Sequence, residues 1–167
     1  MNTRLIGCSA AGWTGLYGAL KLYWATGGTA LRDLVEVPGG SWTDPRFVLF
    51  GLWGTVLLAV IGMVVACAAV HPPRPGTLRR LVRVGCWFAA TILTLRAVPA
   101  LVLDPAALAG FVGDQPLTAD EVRMTRLDLT LWTPFFAVWA ALWLGLAITT
   151  RTRQAGPPLT GAVSGRP

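Results

Sequence analysis

The sequence predicts an all-α, membrane-embedded protein: a four-transmembrane-helix bundle with a short extracytoplasmic helix before the fourth span. Three observations lead there. Hydrophobic residues make up 54% of the chain and charged residues 13%, about half the charged share of an ordinary soluble protein. Four apolar runs reach the roughly 20 helical residues needed to cross a hydrocarbon core. The basic residues gather at the ends of those runs. A net charge of +6 would suggest nucleic acid in a soluble protein. At the ends of apolar segments it reads instead as a topology signal and as contact with lipid headgroups, so the expected partners are membrane lipids and not nucleic acid.

The first run is 5–25. The second, 47–70, has no charge, and Asp44 and Pro45 before it offer an N-cap and a first helical position. The third, 84–103, is the weakest. Its aliphatic and Phe side chains favour insertion by about 4–5 kcal/mol, against about 3 kcal/mol for Arg96 near its centre. "LDP" at 103–105 repeats the cap-and-proline pattern and predicts a short helix from Pro105 to about Val112. Thr118 and Glu121 have capping-box spacing, so a further helix starts there and runs into the fourth span, 129–149. Pro99 and Pro134 are expected to kink the third and fourth spans. The transmembrane domain therefore occupies 1–150. Residues 151–167 are a tail, rich in Gly, Pro and Ser from Gln154 on, and read as a disordered cytoplasmic segment.

Charge sets the orientation. The N-terminus, the 71–83 loop and the tail hold eight arginines and no acid, whereas the other two loops hold all eight acids. The positive-inside rule places both termini of this multi-pass plasma-membrane protein in the cytoplasm. "LIGC" at 5–8 has the form of a lipoprotein cleavage box, but the four residues before Leu5 do not make a signal peptide.

Small residues recur at helical spacing: Gly7, Ala11, Gly15 and Gly18 on the first span, Gly62 and Ala66 on the second, Ala137, Ala141 and Gly145 on the fourth. In lipid such stripes let backbones approach. They serve either the packing of this chain's own helices or a homo-oligomer. Trp132, Phe135, Phe136, Trp139 and Trp143 form an aromatic face on the fourth span, suited to packing or lipid contact. Trp24, Trp42 and Trp132 read as an outer interfacial belt, with Trp87 near the inner interface.

Two cations fall inside spans. Lys21, the chain's one lysine, lies a helical turn from Tyr17 and Trp24, where cation–π contact is open to it. It is also within snorkelling reach of the outer surface. Arg96 lies deeper, roughly 10 Å below the outer edge. An intramembrane arginine needs a function or a partner, and Asp128 and Asp44 are candidate partners. An outward-opening pocket floored by Arg96 and flanked by Lys21 is the sharpest site expectation. Metal chemistry is not expected: His71 is the single histidine, and Cys8, Cys67 and Cys86 have no ligand spacing. No cofactor motif is present, and no span carries the carboxylate usual in proton-coupled transport.

"YWATGG" at 23–28 and the Trp- and Phe-rich "LWTPFFAVWAALW" at 131–143 resemble a family of small bacterial four-span membrane proteins of unknown function. The resemblance covers most of the chain to about Thr150. It implies a four-helix membrane fold in a bacterial cell membrane and no activity. Members often carry His where this chain has Lys21 or Leu22, which argues against a catalytic role there. The expected function is a non-enzymatic membrane protein that binds a lipid, small amphiphile or membrane partner at its outer face. The alternatives are a membrane enzyme acting on lipid, with Lys21 and Arg96 holding an anion and Asp128 or Asp44 as acid/base, and an oligomeric transporter subunit.

Overall fold

A computed structural model describes residues 2–35, 42–73, 76–111 and 117–152. Among them the chain is all-α, with four long helices: α1, Thr3–Ala25; α2, Phe47–Val70; α3, Gly76–Leu108; and α4, Ala119–Thr152. The last three are long and apolar enough to cross a membrane. α1 has the length, with 23 residues, but is less apolar than the other three. The physical reason lies in which residues α1 turns inward. Its buried positions are Thr3, Gly7, Ala10, Thr14, Gly18, Lys21 and Trp24, so Lys21 and the small and polar residues of that face are packed against protein.

The helix starts follow local chemistry. The Asn2 side chain accepts from the Arg4 amide at 3.1 Å and caps α1. Asp44 Oδ1 accepts from the Arg46 amide at 2.7 Å and caps the turn leading into α2. Thr118 and Glu121 form a reciprocal capping box at the start of α4. Each satisfies amide donors that a helix N-terminus leaves orphaned.

One expectation at a proline is corrected. No separate helix begins at Pro105: α3 runs through both Pro99 and Pro105 to Leu108, and Val112 lies outside the described residues. Asp104 therefore sits within α3 and does not cap a new helix. A helix in an apolar medium keeps its remaining backbone bonds when proline removes one, because nothing else can satisfy those groups. In α4, Pro134 follows a widened turn, Asp128–Trp132. There the Thr133 amide donates to the Asp128 carbonyl, five residues back. Widening the turn accommodates the donor that Pro134 lacks and re-aims the residues around it. α4 continues to Thr152; residues 153–167, the rest of the expected tail, lie outside the described residues.

Side-chain pairings give the packing. α1 and α2 are antiparallel: a Cβ on Gly7 would overlap Val70, and one on Gly18 would lie 2.7 Å from the Ala59 Cβ. Gly15 faces Met63, and Gly62 faces Thr14 and Trp143. Ala66 is fully buried and Ala11 packs at the edge of the core. Among the small-residue stripes, those of α1 and α2 thus meet each other. On α4 the core-facing side is Phe136, Trp139, Ala140, Trp143, Leu146 and Ala147. Ala137 is half-buried against that core, Gly145 is intermediate, and Ala141 faces outward. The packing expected of the α4 small stripe is supplied by the aromatic face instead.

This gives a direct test on one helix. Gly18→Ala must push α1 and α2 apart and is expected to destabilise by about 1–3 kcal/mol, as overpacking does. Gly12→Ala, on the same helix with nothing within 4 Å, is expected to be neutral or to stabilise by up to about 1 kcal/mol. Denaturant titration of both variants in detergent reads the difference.

Candidate functional site

The C-terminal ends of α1 and α3 and the N-terminal end of α4 enclose a cavity of about 770 Å³. Its roof includes Leu34 and Val35. They follow a left-handed residue, Leu31 at φ 64°, which turns the chain back over the bundle end. Two indoles hold that segment in place: Trp24 Nε1 donates to the Ala30 carbonyl at 2.8 Å, and Trp132 Nε1 to the Leu34 carbonyl at 2.7 Å. Trp24 is consequently buried, not part of an interfacial belt as the sequence suggests. Its neighbour Tyr23 is the exposed one.

Lys21 lines the cavity and is only 9% exposed. Its Nζ lies 5.4 Å from the Tyr17 ring centroid and 5.1 Å from that of Trp24. Among the described residues it makes no hydrogen bond or ion pair. Removing an ammonium from water costs several kcal/mol, while each cation–π contact returns about 0.5–2 kcal/mol. The rings offset only part of that cost, and Lys21 sits in the wall of the cavity, where a ligand or water can reach it.

Arg96 is placed differently. Its Nη2 donates to Asp128 Oδ1 at 2.7 Å, and the two side chains keep 42% and 26% of their exposure. Asp128 Oδ2 accepts from the Thr133 hydroxyl at 3.2 Å, and the Arg96 guanidinium stacks 5.1 Å from the Phe136 centroid. Arg96 is thus neutralised and held, while Lys21 is the cation left over. Asp104, on α3, interacts with both Asp128 and Arg96 and joins the cavity wall with Asp120 and Glu121. Asp44 does not line it. Of the six expected ligand-binding residues, the structure gathers Tyr17, Lys21, Trp24, Arg96 and Asp128 and leaves Asp44 as a helix cap.

The sequence missed three acids of this site. Asp104 reads as a cap until α3 is seen to continue through Pro105. Asp120 and Glu121 read only as first-turn residues of a helix. Glu121 also closes the capping box on Thr118, so its carboxylate is fixed at the cavity rim. Among the described residues no set of three His, Cys, Asp or Glu side chains gathers as metal ligands.

A family model described as "Protein of unknown function (DUF3995)" matches residues 14–143. The chain belongs to this family. No curated protein and no solved structure matches it. The matched stretch of this DUF3995 protein contains every residue that lines the cavity, from Tyr17 to Phe136.

The ion pair in this DUF3995 protein can be probed alone. Arg96→Met leaves Asp128 beside Asp104 with no neutralising guanidinium and is expected to destabilise by about 1–3 kcal/mol. That lies between the values for exposed and fully buried pairs because both side chains are part-exposed. Adding Asp128→Asn should recover most of the loss, as a double-mutant cycle in denaturant would show.

Proposed function

We propose that this is an integral membrane protein with four spans and both termini cytoplasmic, whose outward-facing cavity binds a lipid or small amphiphile. The fourth span in this reading is α1. It lies antiparallel along α2 from Gly7 against Val70 to Gly18 against Ala59 and exposes Leu5, Leu16 and Leu22 on its free side, so it shares the depth of its apolar neighbours. Orientation rests on charge. Arg4, Arg79, Arg80, Arg83 and Arg151 flank one set of helix ends, and every acid among the described residues flanks the other, where the cavity is. A bacterial plasma membrane fits this pattern.

The observation that carries the binding reading is Lys21: a buried cation with no anion among the described residues, lining a cavity large enough for a ligand. Pockets that hold small molecules span about 300–1,000 Å³ and combine aromatic walls with a few polar groups. Native mass spectrometry from a mild detergent tests the reading. The full chain is expected to retain a lipid-sized adduct, and Lys21→Met to lose it. Release of both as bare protein would overturn it.

A further inference from the structure

Resting on that reading, we propose that the cavity selects a zwitterionic headgroup, an anion on Lys21 joined to an ammonium held by the facing acids. The charge inventory leads to this class. Among the described residues two cations, Lys21 and Arg96, and four acids, Asp104, Asp120, Glu121 and Asp128, line the cavity, a net formal charge of −2 for that set. Arg96 and Asp128 satisfy each other at 2.7 Å. What remains is one buried ammonium on the α1 wall and, on the α3 and α4 side, Asp120, with Glu121 adding its charge at the rim and Asp104 drawn into the Arg96–Asp128 cluster.

A plain anion would answer Lys21 but meet the acidic wall. A plain cation would answer the acids but meet Lys21 and the Arg96 guanidinium. A ligand carrying both signs answers both walls, and opposed fixed charges reject the singly charged alternatives as strongly as they attract the right one. The Lys21 ammonium rests on the α1 side, 5.4 and 5.1 Å from the Tyr17 and Trp24 ring centroids. A phosphate ester whose alcohol carries a primary amine two carbons along has this chemistry. It occurs both as an aminoethyl phosphate lipid headgroup and as the free aminoethyl phosphate.

The full chain in detergent is titrated with three amphiphiles of equal, short acyl length: a phosphatidylethanolamine, a phosphatidylglycerol and a dialkyl-dimethylammonium. Binding is read as the ligand-dependent shift in thermal unfolding. The ethanolamine lipid is expected to bind at least tenfold more tightly than either of the others. Lys21→Gln should remove that margin over the cationic amphiphile, and Asp120→Asn should remove it over the phosphatidylglycerol. Asp120 is exposed, so its variant retains the fold even if Lys21→Gln does not. Free phosphoethanolamine serves as competitor: competition assigns the site to the soluble headgroup as well, and its failure beside tight lipid binding assigns it to the lipid. Equal binding of the phosphatidylglycerol or of the cationic amphiphile overturns the zwitterion proposal while leaving a lipid site in place. Binding of none of the three overturns both.

Discussion

Trp143→Ala is expected to destabilise the protein by about 3–5 kcal/mol, the range for deleting a buried aromatic side chain. Trp143 is 1% exposed and fills the space between α4, Gly62 and Thr14. Its indole Nε1 donates to Thr14 Oγ1 at 3.3 Å, and that same oxygen accepts from Trp139 Nε1 at 3.0 Å. The Thr14 hydroxyl donates in turn to the Ala10 carbonyl at 2.7 Å. One buried hydroxyl thus ties two indoles of α4 to the backbone of α1. In lipid the unfolded helices stay in an apolar medium, so packing and hydrogen bonds, not water exclusion, hold them together. Thr14→Val keeps the shape and orphans two indole donors, and should cost about 1–3 kcal/mol. Trp53→Ala on the exposed face of α2 should cost under about 1 kcal/mol. Unfolding titrations in one detergent give all three values.

Lys21→Met is expected to act in the opposite direction, raising the stability of the ligand-free protein by about 1–3 kcal/mol. Methionine fills a similar volume between Tyr17 and Trp24 without a charge to desolvate, and replacing buried ionic groups by packed apolar ones is often stabilising. A snorkelling lysine bathed in headgroup water would give no such gain. The expected gain is coupled to the loss of ligand-dependent stabilisation, the usual relation between a strained site and its function. Paired melting curves with and without short-chain phosphatidylethanolamine show both effects. A destabilised Lys21→Met protein would mean that Lys21 supports the fold.

Sequence pattern sufficed where a signal is local. The capping box at Thr118 and Glu121, the Asp44 cap, and the small stripe of α1 all depend on residues a few positions apart, and each has its structural counterpart. Patterns that need a partner were harder to read. The α4 face that packs is aromatic, and Ala141 lies on the exposed side of the same helix. Trp24 looks interfacial until the 29–35 segment folds back to accept its N–H. Asp104 looks like a cap because Asp-Pro usually starts a helix, whereas a helix already under way can pass through proline. Arg96 draws attention by its depth, yet it finds Asp128; Lys21 looks easy to hydrate, yet among the described residues it finds no anion. Such pairings arise only when α1, α3 and α4 converge.

Because Lys21 is the chain's one lysine, its accessibility can be read without mutation. A membrane-impermeant amine-acylating reagent is applied to sealed right-side-out and inverted vesicles, and the modified peptide is quantified by mass spectrometry. Lys21 is expected to react in the folded protein from the extracytoplasmic side, through the cavity, and to be protected by added phosphatidylethanolamine. Modification only from the cytoplasmic side, or only after unfolding, would contradict an outward-facing ligand site built around Lys21.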